Sequence, residues 1–349
     1  MKLAPVWRAL GRHTNVHQTI IHTGQHYDVN MSDVFFHQLE IPAPDLNLAV
    51  GPGTQARQTA EIMIRLEPVI ADAGADFVLL YGDVNSTMAA ALVCAKLGVK
   101  TAHVEAGLRS FDRTMPEEIN RLVTDQLADL LFTPSDDADL NLGNEGVSLE
   151  KIFRVGNVMI DSLIRALPLA RQLEHPDLPK RFALVTLHRP SNVDDDSVLE
   201  GILKNLSEVS ETLEMIFPAH PRTRKRIENL RVAPGRLRIF EPLAYIPFLA
   251  LQLRATVVIT DSGGIQEETT FLGVPCLTMR DNTERPITVG LGTNTIVGRD
   301  PTRLRSELSK ILSGQYKQGA VPPLWDGSAG ERIAAVLTGT RSITSGATL

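Results

Sequence analysis

The stretch Thr260-Asp261-Ser262-Gly263-Gly264-Ile265-Gln266-Glu267-Glu268 follows a β-branched apolar run, Ala255-Thr256-Val257-Val258-Ile259, and precedes residues with helical spacing. It reads as strand, tight turn and helix start. Such a turn can hold an anion. Ser262 can cap the helix, Gly263 and Gly264 let the backbone approach a ligand closely, and the helix dipole adds partial positive charge, so a diphosphate fits. Glu268 stands roughly 9 Å further along the axis at about 1.5 Å per residue, placed to accept from ribose hydroxyls. Ser-Gly-Gly alone is equally the mark of an ordinary Gly-rich turn. Four further residues, Asp83, Glu105, His188 and His220, also directly follow predicted strands, where carboxylates and imidazoles can move protons. Each has a structural alternative. Asp83 can cap the next helix, Glu105 can pair with Arg109, Glu117 can complete a capping box begun at Thr114, and His188 can be a satisfied loop histidine.

The elements that must carry these residues alternate along the chain. Helix spacing is read over residues 1–10, strand over 18–22, helix over 32–39, and a longer amphipathic helix over 55–73 that Pro68 should kink or break. Strand-helix units follow: strand 76–81 with helix 86–97, strand 100–104, a helix opening at Thr114-Met115-Pro116-Glu117, strands 130–133 and 152–155, and helix 158–173. Glu174-His175-Pro176-Asp177-Leu178-Pro179 resembles a linker. The alternation then resumes with strands at 182–186, 214–217, 237–240, 257–260 and 276–279. This is the pattern of parallel sheets covered on both faces, an α/β fold. The 349 residues suffice for two domains, placed at 1–173 and 180–325, with 326–349 as a C-terminal helix and tail.

Composition narrows the class. With 43% hydrophobic and 22% charged residues the chain is an ordinary globular sequence. The two cysteines, Cys94 and Cys276, lie in apolar segments and point to buried thiols in a reducing, cytoplasmic compartment. No apolar run reaches the length of a membrane span, and a net charge of −6 argues against nucleic-acid binding. The basic run Arg222-Thr223-Arg224-Lys225-Arg226 reads as a solvated helix face.

Taken together, His22-Thr23-Gly24-Gln25-His26-Tyr27-Asp28, Tyr81-Gly82-Asp83, His103-Val104-Glu105-Ala106-Gly107-Leu108-Arg109, Met115 to Arg121, Leu187-His188-Arg189, Asp261 to Glu268 and Met279 to Pro286 resemble the non-hydrolysing UDP-N-acetylglucosamine 2-epimerases, in order and over nearly the whole chain. The resemblance implies a GT-B architecture of two doubly wound, Rossmann-like domains with the active site in the cleft between them. It also implies interconversion of UDP-GlcNAc and UDP-ManNAc without cofactor or metal, by a homodimer. A sugar C2 proton is too weakly acidic for direct removal, so departure of UDP from C1 must run ahead; carboxylates stabilise the cationic sugar and donors the leaving diphosphate. By resemblance Asp83, Glu105, Glu117, Arg121 and His188 form the acid/base constellation. Lys2, His220, Ser262, Gly263, Gly264, Glu268 and Arg285 bind substrate, and Gln25, His26 and Arg57 form a possible activator site.

Two departures are visible. The family often carries Glu two residues after His-Arg, where this chain has Pro190-Ser191-Asn192. The family also begins with a strand and a Gly-Thr-Arg-Pro-Glu turn that is not found ahead of Lys2, so the central first strand is expected to be missing and the chain to be a truncated, poorly folded form. Three alternatives to the leading reading stand: an epimerase of diacetamido-hexuronate sugars, a GT-B glycosyltransferase, and an inactive UDP-sugar-binding remnant.

Overall fold

The computed structural model describes residues 1–24, 39–173, 178–230, 232–233 and 235–339. Gln25 and His26, nearly all of the helix expected over 32–39, and residues 174–177 of the expected linker lie outside the described residues. The chain divides into two compact units: Met1–Ser162 with the segment from Pro323 onward, and Leu163–Pro322.

The first unit contains α1 (Leu3–Leu10), β1 (Ile21–His22), β2 (Leu46–Asn47), α2 (Gln55–Ala73), β3 (Val78–Tyr81), α3 (Asn85–Leu97), β4 (Thr101–Val104), α4 (Pro116–Leu127), β5 (Leu130–Thr133), α5 (Asp136–Asn144) and β6 (Ile152–Arg154). The boundary between units falls within α6 (Val158–Gln172). Strands β3-β4-β5-β6 form one parallel sheet in that order, and β1-β2 form a separate parallel pair. Among the described residues no strand joins β1 to β3. One face of the larger sheet buries Ala102, Val104, Phe132 and Val155 against Val6 and Ala9 of α1 and against Ile333 and Ala334. On the other side, Leu80 packs with Ile62, Leu66 and Ile70 of α2 and Ala89 and Val93 of α3. Of the kink or break expected at Pro68, the break does not appear, since α2 runs unbroken from Gln55 to Ala73 with Pro68 inside it.

The second unit contains β7 (Ala183–Thr186), α7 (Pro190–Val193), α8 (Asp196–Ser210), β8 (Met215–Pro218), α9 (Pro221–Leu230), β9 (Leu237–Phe240), α10 (Tyr245–Arg254), β10 (Val257–Thr260), α11 (Gly263–Leu272), β11 (Cys276–Thr278), α12 (Pro286–Gly290), β12 (Asn294–Ile296) and α13 (Pro301–Leu312). The chain then returns to the first unit with α14 (Ala329–Leu337). All six strands are parallel, in the order β12-β11-β10-β7-β8-β9. Successive side chains of a strand face opposite sides. Ala183 and Val185 therefore enter one core with Leu199 and Leu203 of α8, while Phe182 and Leu184 enter another with Leu251 of α10. The order reverses between β7 and β10, and a doubly wound sheet binds ligands beyond the carboxyl ends of its strands at such a point.

No described helix is long and apolar enough to cross a membrane. Cys94 and Cys276 are both buried and free, and burial pushes each thiol up to about 11. In the basic run, Arg222 and Arg226 pair with Asp194, and Arg224 with Glu228 and Glu241, as a solvated helix face would.

Candidate active site

In the first unit the site residues cluster where β3 and β4 end. Tyr81 leads through Gly82 into Asp83, whose carboxylate takes a hydrogen bond from Arg121 Nη1. Gly82 has φ +69°, and a Cβ there would sit 2.6 Å from Lys2 Nζ, so this turn needs glycine. Glu105 follows β4 with φ +75°, a left-handed conformation that costs a non-glycine residue of order 1 kcal/mol or more. Its own N–H and that of Ala106 both donate to the Phe132 carbonyl, at 3.0 and 3.1 Å, and this holds the bend. The Glu105 carboxylate pairs with Lys2, not with Arg109. Arg109 instead pairs with Asp125 and Glu145.

Helix α4 supplies Glu117 and Arg121. It begins differently from the expected capping box: Met115 occupies the N-cap with no side-chain cap bond, Pro116 is the first helical residue, and Thr114 Oγ1 donates to Asp112. Glu118, the neighbour of Glu117, is buried and accepts from the Ser110 and Phe111 N–H groups at 3.0 and 2.8 Å and from Arg121 Nη2 at 2.6 Å. Burial works to raise the Glu118 carboxyl, but these donors outweigh it and hold the group below its usual range. Glu117 is half-buried and makes no hydrogen bond or ion pair to another described residue.

In the second unit His188 follows β7 and Asp261 follows β10, at the reversal of strand order. Asp261 is fully buried and accepts from the N–H groups of His188 and Arg189 at 3.1 and 3.0 Å, from Asn192 Nδ2 at 3.0 Å, and from His188 Nδ1 at 2.9 Å. Burial opposes its charge, yet His188 and the other donors hold Asp261 below the usual carboxylate range. With Nδ1 tied to Asp261, the half-exposed His188 ring leaves Nε2 for other chemistry. The Pro190-Ser191-Asn192 departure is explained in part, because Asn192 also donates to the Met279 carbonyl and so ties the loop after β7 to β11. His220, at the end of β8, is exposed and accepts the Arg222 N–H through Nδ1 at 3.3 Å, as a cap for α9.

The turn into α11 differs from expectation in one respect. Ser262 occupies the N-cap, but its side chain makes no cap bond. The hydroxyl and the first-turn N–H groups of Gly263 and Gly264 are then available to a ligand. A Cβ on Gly263 would run into Arg285 Nη1 and Glu284, so the guanidinium lies directly against the helix start. Arg285 is itself paired, with Glu267 through Nε at 2.8 Å and with Glu284. Glu284 also takes Arg280 Nη2 at 2.6 Å and Arg189 at 3.5 Å. Burial works against the Glu284 charge, but Arg285 and Arg280 hold its carboxyl far below the usual range. Arg189, Arg280 and Arg285 thus gather with Glu267, Glu284 and Asp261 beside the N-terminus of α11. Glu268 is buried and takes the Tyr245 hydroxyl at 3.0 Å on one oxygen, with the Gln252 amide also beside it; burial raises it to about 7. Among the described residues no group of His, Cys, Asp and Glu could hold a metal ion.

Residues 8–338 match the sequence signature of the family described as UDP-N-acetylglucosamine 2-epimerase. The chain belongs to this family. It is 42% identical to the UDP-N-acetylglucosamine 2-epimerase of Methanocaldococcus jannaschii, over 97% of this chain and 95% of that protein. It is also 42% identical to the UDP-2,3-diacetamido-2,3-dideoxy-D-glucuronate 2-epimerase of Pseudomonas aeruginosa, over 97% and 96%. A crystal structure of the M. jannaschii UDP-GlcNAc 2-epimerase in complex with UDP-GlcNAc and UDP superposes with a TM-score of 0.89 at 42% identity, covering 97% of this chain and 96% of that one. The two Rossmann-like units are therefore those of this epimerase family.

Sequence reasoning missed several groups that contact the candidate site residues. Asp261 stands immediately before Ser262 at a strand end, a position that could have marked it as the partner of a histidine ending the neighbouring strand. Tyr245 gives no local sign of its contact with Glu268, and Glu118 was indistinguishable from Glu117 without the packing of α4.

Proposed function

We propose that this protein inverts C2 of a UDP-2-acetamido sugar, converting UDP-GlcNAc to UDP-ManNAc by eliminating UDP to a glycal and adding it back. The observation that carries the reading is the family match along residues 8–338, with acid/base side chains standing at the ends of β3, β4, β7 and β10. In this reading Ser262, Gly263, Gly264 and Arg285 hold the diphosphate, and Glu268 takes the ribose hydroxyls. Asp83, Glu105, Glu117 and His188 stabilise the cationic sugar and move the C2 proton on its two faces, Arg121 and Lys2 fixing the first two carboxylates. His220 completes the substrate contacts, and Arg57, exposed on α2, remains the described member of the activator site. The enzyme is proposed to work as a cytoplasmic homodimer.

Incubation with UDP-GlcNAc alone in deuterated water tests the proposal. It should yield UDP-ManNAc, with deuterium at C2 of both sugars and no acceptor required. An unchanged ring without deuterium after prolonged incubation refutes it, and UDP release only on adding an acceptor would favour a glycosyltransferase. The 42% identity to a diacetamido-glucuronate epimerase gives a second reading its footing: that sugar nucleotide as the preferred substrate, decided by the ratio of the two kcat/KM values.

A further inference from the structure

The buried ring of His103 lies among groups that can only accept. On β4, with no exposed surface, its Nδ1 is 2.6 Å from Asp125 Oδ1 and its Nε2 is 2.8 Å from the Gly82 carbonyl oxygen. A carbonyl has no hydrogen to give. Nor does Asp125: burial works to raise it, but His103 and Arg109 hold it below the usual range, so it is ionised and accepts. Its other oxygen takes the Gly107 N–H at 3.1 Å and Arg109 Nη1 at 2.8 Å, and Arg109 reaches on to both oxygens of Glu145 at 2.7 Å. Nε2 therefore donates to the Gly82 carbonyl, and Asp125 anchors the other side of the ring.

We propose that His103, anchored by Asp125 and donating to the Gly82 carbonyl, is a positioning residue that sets Asp83 relative to Glu105. The β3–β4 ladder ends with Tyr81 opposite Val104 and the Gly82 N–H on the Val104 carbonyl at 3.2 Å. Beyond it Gly82 is a glycine at φ +69°, whose carbonyl would be free to turn; the His103 ring pins that carbonyl one residue before Asp83. The same ring leaves β4 two residues before Glu105. Its anchor Asp125 lies one helical turn after Arg121, the residue that holds Asp83, so the brace ties together the three elements that carry the first unit's acid/base groups.

The inference rests on the epimerase reading for its kinetic arm only. His103→Gln keeps a donor where Nε2 meets Gly82, whereas His103→Asn keeps one where Nδ1 meets Asp125 and abandons Gly82. If the ring positions Asp83, His103→Asn lowers kcat about tenfold or more with KM within about twofold, and His103→Gln retains kcat within about threefold. Equal losses in both variants, or full turnover in His103→Asn, overturn the proposal, because a merely stabilising network would track melting temperature and not this order. Neutron diffraction of the wild-type protein serves if either variant fails to fold: a hydrogen on His103 Nε2 directed at the Gly82 carbonyl is expected, and a bare Nε2 refutes the inference. Absence of wild-type turnover would sink the epimerase reading and leave the neutron test standing.

Discussion

Glu268 allows binding and stability to be predicted from one group with opposite signs. Its carboxyl is wholly buried, and burial raises it from 4.5 to about 7. In the free protein it is therefore neutral over much of the range from pH 4.5 to 7. Ribose hydroxyls donate to a carboxylate, so binding UDP favours the ionised form, and at pH 6 only about one molecule in ten carries it. UDP should bind about tenfold more weakly at pH 6 than above pH 8, or about 1.4 kcal/mol. Stability runs the other way. A carboxyl raised on folding makes the native state hold the extra proton, so stability falls as pH rises from about 4.5 to 7 and is flat beyond, by at most about 3 kcal/mol. Glu268→Gln removes both dependences and keeps an acceptor for Tyr245. Calorimetric UDP titrations and urea melts of both proteins at pH 5 to 8 isolate the effect, since the titration of UDP itself cancels in their ratio. Parallel binding curves across that range would refute the placement of Glu268 at the ribose. Parallel stability curves would refute its burial as a neutral group.

Asp83→Asn and Glu117→Gln should each lower kcat by about 10² to 10⁴ while UDP affinity by calorimetry stays within a few fold, because shape is kept and proton transfer is lost. Gly263→Ala should cost about 1–3 kcal/mol of stability and weaken UDP binding, since the new methyl displaces Arg285 and Glu284 from the helix start; unchanged binding would detach that arginine from the diphosphate site. Glu284, depressed by Arg285 and Arg280, contributes stability that is complete above its ordinary 4.5 and is lost as pH falls below it. The acid limb of a melting-temperature profile should accordingly flatten in Glu284→Gln.

What was legible in the sequence was local. The strand, turn and helix around Ser262 are fixed by consecutive residues, as is the repeated strand-helix alternation, and both appear as read. The pairings were not legible, because sheet order and not sequence distance sets them: Arg121 meets Asp83 across 38 residues and Asp261 meets His188 across 73. The letters at Thr114 fit a capping box, but the helix starts one residue later, with Met115 at the N-cap, so Glu117 is its second residue and not its third.

The pair Glu117-Glu118 shows why the division of labour lay beyond the sequence. Adjacent residues on a helix point about 100° apart, so two identical letters enter different surroundings. Glu118 faces Ser110, Phe111 and Arg121, and its oxygens are taken by five donors, which fixes the Arg121 guanidinium and through it Asp83. A carboxylate so engaged has little capacity left for a moving proton. Glu117 has the same chemistry and, among the described residues, none of those bonds, which is what recommends it for the proposed proton transfer. Glu118 supports the geometry, and Glu117 is the one proposed to act within it.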